Sequence, residues 1–139
     1  MYLLDTNVVS ELRKVGTGKA DSNLVAWADA IDTRHLSISA ITVLELERGV
    51  LQIERRDTAQ GAMLRQWLEG QVMPSFSGRI LPVTAEIAKV CARLHVPDPR
   101  SERDALIAAT ALVHGLSVVT RNITDFAGIH VSLINPWTA

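Results

Sequence analysis

Four acidic side chains stand where they could share one cation. Asp5 directly follows the short apolar run Tyr2-Leu3-Leu4. Glu45 lies in Val43-Leu44-Glu45-Leu46, one turn into a helical stretch that Ser39 can cap. Asp104 opens a segment that is almost wholly apolar from Ala105 to Val113, and Asp125 follows the β-branched run Val118-Val119-Thr120 by a few residues. Carboxylates gathered in a partly buried pocket repel one another and need a positive partner. Hard oxygen donors with no Cys or His beside them suit Mg²⁺ or Mn²⁺ rather than zinc. Such an ion can hold a phosphate oxygen, lower the pKa of a bound water and offset charge on a leaving oxygen.

Each acid also has an ordinary structural role open to it. Asp5 suits a helix N-cap. Asp104 stands three residues after Ser101, as in a capping box. Glu45 is spaced to pair with Arg48 on a helix face, and Asp125 fits a turn. The four His residues, His35, His95, His114 and His130, lack the spacing of a structural zinc site, and the single Cys91 excludes an internal disulfide. Cys91 recurs at helical period with Ile87, Val90 and Leu94, which reads as a small buried apolar residue.

The elements that must position these acids alternate along the chain. Short strands are expected at Tyr2–Leu4, Leu36–Ile38, Arg79–Val83, Ser117–Thr120 and Val131–Ile134. Helical patterns lie between them: from Asp5 to about Lys14, around Leu24–Ile31, from Ser39 to about Arg56, over about Asp57–Val72, from Thr84 to before Pro97, and from Ser101 to His114 with Gly115 after it. Gly16 to Lys19 reads as a flexible break, and Pro74 with Gly78 as the end of the fourth helix. No hairpin signal joins neighbouring strands, so the order implies a mostly parallel sheet of about five strands with helices on both faces. In open sheets of this kind ligands bind beyond the carboxyl ends of the strands, where Asp5, Glu45, Asp104 and Asp125 fall.

Composition narrows the functional classes. The 139 residues are 47% apolar and 21% charged, which excludes intrinsic disorder and suits one domain over 1–139. With 14 basic and 15 acidic side chains the net charge is -1, so this is no general polyanion sponge. Setting aside the four proposed site acids leaves 14 bases against 11 acids, a modest basic rim compatible with a phosphodiester. The six aromatic residues are too few for an extended base-stacking platform. Trp67 reads as packing, and Arg48, Arg55, Arg56 and Arg65 as a solvated face. No basic leader or long apolar run is present, and a cytoplasmic protein without a membrane span is expected.

Four ordered segments carry a family resemblance. They are Leu4-Asp5-Thr6-Asn7, Ser39 to Gly49, Asp104 to Ala111, and Val119-Thr120-Arg121-Asn122 through Asp125-Phe126. Together with Gly78 to Pro82 and Asn135-Pro136-Trp137 they resemble the PIN-domain family, most closely the VapC/FitB-type toxins of bacterial toxin–antitoxin pairs. The resemblance runs essentially the whole length. It implies a three-layer α/β/α fold and an Mg²⁺- or Mn²⁺-dependent endoribonuclease, silenced by a cognate antitoxin. Implied also are a homodimer and promoter DNA bound only through the antitoxin.

Carried over, the site acids are Asp5, Glu45, Asp104 and Asp125, with Thr6, Asn7, Thr120 and Asn122 as supporting polar groups. Asp5 and Asp104 are the expected direct ligands. Asn122 stands where FitB-like chains carry Asp, so the fourth charge is assigned to Asp125, as in many VapC-like chains. Two other classes compete: a module that has lost productive metal geometry and acts by docking its antitoxin, and a phosphotransfer receiver. The second needs paired early acids and a late Lys; the three Lys here are at positions 14, 19 and 89.

Overall fold

The computed structural model describes residues 1–138. Five parallel strands form its centre: β1 (Tyr2–Leu4), β2 (Leu36–Ser39), β3 (Ile80–Leu81), β4 (Ser117–Val119) and β5 (Leu133–Ile134), in the order β3-β2-β1-β4-β5. Around them lie α1 (Thr6–Leu12), α2 (Ser22–Asp29), α3 (Ala40–Arg56), α4 (Thr58–Trp67), α5 (Met73–Ser75), α6 (Ala85–Leu94) and α7 (Glu102–His114). The chain steps outward from β1 through β2 to β3, then returns to the other side of β1 as β4. A crevice therefore opens between the carboxyl ends of β1 and β4, the switch point of the sheet.

Side chains on successive strand residues face opposite ways, and that alternation builds two cores. Leu4, Leu36, Ile38 and Val119 pack against Val8 and Val9 of α1, Leu24 of α2, and Leu46 and Val50 of α3. Leu3 and Val118 face the other side, against Ile107, Ala108 and Ala111 of α7. Ile87 and Cys91 of α6 then cover Ala105 and Ala109 of the same helix. The small residues Ala105, Ala108, Ala109 and Ala111 let α7 lie between the sheet and α6, each of them fully buried. These are the three layers expected from the strand–helix alternation.

Polar residues at strand ends start the helices. Ser39 Oγ accepts from Ile41 N at 3.0 Å, Thr84 Oγ1 from Ile87 N at 3.2 Å, and Ser101 Oγ from Asp104 N at 3.5 Å. Gly115 at φ 67° closes α7.

Several boundaries differ from expectation for identifiable reasons. Strand β3 stops at Leu81 rather than Val83, because Pro82 has no N–H for the ladder. The presumed break at Gly16 to Lys19 is partly a 3₁₀ turn over Arg13–Thr17, held by Thr17 Oγ1 donating to Lys14 O at 2.8 Å. The fourth helix does not end at Pro74. It widens into a π-helical turn over Leu68–Val72 and continues as α5, with Pro74 in the first turn, where a missing N–H costs little. The arginine face is one of paired charges at Arg65, whose guanidinium binds Glu47 at 2.6 and 2.7 Å, Glu54 at 3.0 Å and Glu69 at 3.3 Å. The hydrogen bond from Arg65 holds the Glu47 carboxyl below its usual range. Among the described residues no helix is long and apolar enough to cross a membrane.

Helices α3 and α4 touch backbone to backbone at Gly61, where an added Cβ would lie 2.5 Å from Glu54 Cα. Gly61→Ala is expected to destabilise the fold by about 1–3 kcal/mol in urea unfolding, despite the better helix propensity of Ala. Gly49→Ala in α3, with nothing within 4 Å of the added atom, is the opposite case. It should stabilise by roughly 0.5–1 kcal/mol in the same measurement.

Candidate active site

Asp5 sits in the crevice between β1 and β4. Its backbone N donates to Val119 O at 2.9 Å, which ties it to the end of the neighbouring strand. It is also the residue that starts α1, with Oδ1 accepting from Thr6 N at 2.8 Å. The capping role and the site role thus coincide in one side chain, only 1% exposed. Its other oxygen, Oδ2, accepts from Thr120 Oγ1 at 2.8 Å and Asn7 Nδ2 at 3.3 Å.

The supporting polar residues form a continuous frame around it. Thr120 Oγ1 accepts from Asn7 Nδ2 at 3.3 Å and from Asn122 N at 3.0 Å, and Asn7 Oδ1 accepts from Arg121 N at 3.1 Å. On the other flank, Thr6 Oγ1 donates to Glu45 Oε1 at 2.5 Å and lies 3.5 Å from Thr42 Oγ1. Glu45 therefore turns inward from α3 and does not pair with Arg48. Asp104, in the first turn of α7, completes the group. The helix N-terminus there favours negative charge.

One guanidinium joins the three acids. Arg103 donates from Nη2 to Asp5 Oδ1, from Nε to Glu45 Oε2 and from Nη1 to Asp104 Oδ1. The acids are nearly enclosed, with side-chain exposures of 1%, 15% and 12%, and the arginine side chain is 29% exposed. Burial works to lower the Arg103 pKa, but Asp5, Glu45 and Asp104 overcome it and raise the value above its ordinary level. Burial pushes the Asp104 carboxyl above the usual range; Arg103 opposes this, while Asp125 and Asp5 add to it. Among the described residues, every buried side-chain nitrogen and oxygen has a hydrogen-bond partner.

Asp5, Glu45 and Asp104 thus meet, whereas Asp125 stays outside their hydrogen-bonded group. It is exposed on the 3₁₀ turn Ile123–Phe126, and its charge reaches Asp104 without a hydrogen bond. Asn122 instead borders a cavity of about 490 Å³ beside the acids, together with Thr6, Asn7, Glu45, Arg103 and Arg121. Sequence reasoning missed Arg103 and Thr42. Arg103 belongs to the bases counted in the rim, yet its charge lies inside the cluster and offsets part of the cluster's negative charge. Its position immediately before Asp104 was the available signal.

The donor set fits a hard divalent cation. Three carboxylates from three segments already direct oxygens at a single positive group, and Thr6, Asn7 and Thr120 fix their orientations. A second cluster fits a metal less well. Among the described residues, Cys91, His95 and Glu102 are the one trio whose ligand atoms lie within 4.8 Å of one another. His95 Nδ1 accepts from Arg100 N at 3.0 Å, so the neutral ring carries its proton on Nε2, facing Glu102 Oε2 at 3.1 Å. A metal on Nε2 would have to displace that proton while Nδ1 still accepts, the reverse of the usual arrangement around a metal-bound imidazole.

One variant and one labelling measurement check these local readings. Thr120→Val keeps the shape but leaves Asn122 N without its acceptor and Asp5 Oδ2 with only the longer bond from Asn7, and should cost about 1–3 kcal/mol of unfolding free energy. Burial, with Glu102 adding to it, pushes the Cys91 thiol up. Native protein at pH 8 should react with Ellman's reagent far more slowly than protein unfolded in urea; equal rates would contradict a buried, protonated thiol.

Comparison with known proteins gives a consistent placement. The PIN domain family model matches residues 2–129. The chain is 38% identical over 145 residues to the VapC ribonuclease Y4jK of Sinorhizobium fredii, covering 99% of this chain and 98% of that protein. It is 35% identical over 142 residues to Toxin FitB of Neisseria gonorrhoeae, covering 99% of each. The crystal structure of FitAcB from the same organism superposes with a TM-score of 0.89 over the full length of both chains. A toxin–antitoxin complex from Klebsiella pneumoniae, 26% identical, aligns over 98% of each chain at a TM-score of 0.68. The chain belongs to the PIN domain family, among its VapC- and FitB-like members.

Proposed function

We propose that this chain is a divalent-metal-dependent endoribonuclease, the toxin of a toxin–antitoxin pair, neutralised by a cognate antitoxin. The observation that carries the reading is the meeting of Asp5, Glu45 and Asp104 around one cationic group at the switch point of the sheet. The names of its relatives, a VapC ribonuclease and a toxin, support the substrate class and the biological setting. The Klebsiella complex supports the antitoxin as partner. A cytoplasmic homodimer, with promoter DNA engaged only through the antitoxin, completes the proposal.

In this reading Mg²⁺ or Mn²⁺ would be held by Asp5 and Asp104, with Glu45 and Asp125 acting directly or through water. When bound, the ion supplies Lewis-acid polarisation of a phosphate oxygen and an acidified water. The chain's own residues prepare the setting. Thr120 and Asn7 fix Asp5 Oδ2, Thr6 fixes Glu45, and the N-terminal turn of α7 presents Asp104. The neighbouring cavity, bordered by Asn7, Arg121 and Asn122, offers polar groups and positive charge to a phosphodiester backbone. No side chain of the cluster is a covalent nucleophile, which leaves water to attack phosphorus.

A second reading is favoured by Arg103 and Asn122: a catalytically weak PIN module that acts mainly through antitoxin binding and promoter regulation. The guanidinium fills the acidic site, and Asn122 brings no charge to it.

The two readings separate in one assay, RNA cleavage by purified antitoxin-free protein with Mg²⁺ or Mn²⁺ and with EDTA. The nuclease reading expects metal-dependent cleavage that falls by about 10²–10³-fold or more in Asp5→Asn and in Asp104→Asn, with circular dichroism unchanged. Full activity in either variant would remove that residue from the chemistry. Absence of cleavage by the wild type under all metal conditions would favour the binding module.

A further inference from the structure

We infer that Arg103 is an internal counter-cation that occupies the acidic centre when no metal is bound, so that the guanidinium must leave before a divalent ion can load. This rests on the proposed metal site and adds a competitor built into the same chain.

The geometry supports competition rather than cooperation. All three nitrogens of the Arg103 guanidinium are engaged, one with each of Asp5, Glu45 and Asp104. Three of its five N–H donors are therefore committed to carboxylates while it sits there. Its positive charge lies in the volume where an ion would touch the same oxygens, and two cations in that space would repel strongly. The trio is also wider than an ion demands. The Cys91 group alone, among the described residues, brings three ligand atoms within 4.8 Å of one another. Around Arg103 the carboxylates stand apart by the breadth of a guanidinium, so drawing them in requires the side chain to go.

An exit is at hand. Arg103 borders the cavity of about 490 Å³ that also contains Thr6, Asn7, Arg121 and Asn122, and its side chain is already 29% exposed. Rotation about its side-chain bonds would carry the charged head into that space with no backbone change. The displaced guanidinium would then lie at the mouth of the site with its donors free.

Competition of this kind lowers apparent affinity by the fraction of molecules in which the site is open. Calorimetric titration of Mn²⁺ into metal-free wild type and Arg103→Gln is the direct test. The variant should bind at least about tenfold more tightly. Its metal-free melting temperature should be lower than wild type, and its rise on adding Mn²⁺ larger, because three carboxylates have lost the cation they share. Equal or weaker Mn²⁺ binding by a folded Arg103→Gln would overturn the inference.

A second measurement needs no variant. In ¹⁵N-arginine-labelled wild type the Arg103 Nε–H should be protected from exchange without metal and lose protection as Mg²⁺ saturates the site. Unchanged protection at saturation would overturn the inference as well. Failure of both wild type and Arg103→Gln to bind Mn²⁺ would instead sink the metal-site reading beneath it.

Discussion

Negative charge that water scarcely reaches must be balanced from within the molecule. Asp5, Glu45 and Asp104 come from the end of a strand, the second turn of a helix and the first turn of another, and their oxygens meet in a nearly closed space. Left alone they would push those three segments apart. Arg103 supplies one positive charge to the three acids, and the hydroxyl and amide groups of Thr6, Asn7 and Thr120 hold further lone pairs of Asp5 and Glu45. The electrostatic requirement therefore reaches into the architecture. β1, α3 and α7 are held together at this end by ionic bonds and at their middles by Leu3, Leu4, Leu46 and Ile107.

Much of this arrangement was legible in the chain. The alternation of short apolar runs with helical patterns led to the parallel five-stranded sheet, because strands joined without hairpin signals need crossovers. The placement of Asp5 and Asp104 at strand and helix ends followed from the same reading, since Asp favours helix starts and both ends lie on one edge of such a sheet. Helix ends were less readable where tertiary packing overrode local pattern. At Leu68–Val72 the chain absorbs a π-helical turn instead of stopping, and Pro74 continues the helical path.

Arg103 was invisible for a different reason. Its partners Asp5 and Glu45 lie 98 and 58 residues away in sequence, and adjacency to Asp104, the one local signal, does not say which way the base points. Counting charges treated every base alike, although Arg65 and Arg103, equally half-buried, differ in whether the acids they hold are themselves enclosed. Asp125 is the converse. Its place just past a strand brought it forward, and the family resemblance gave it the fourth charge; the fold keeps it exposed, and Asn122 borders the cavity.

The long sequence separations within the site also bear on synthesis. Asp5 is bonded to Thr120 across 115 residues, and β1 pairs with β4 as well as β2. A growing polypeptide on the ribosome carries its first acid from the start. It cannot complete the pocket until the segment around Thr120 has emerged. The acidic pocket can therefore close only once most of the chain has been made.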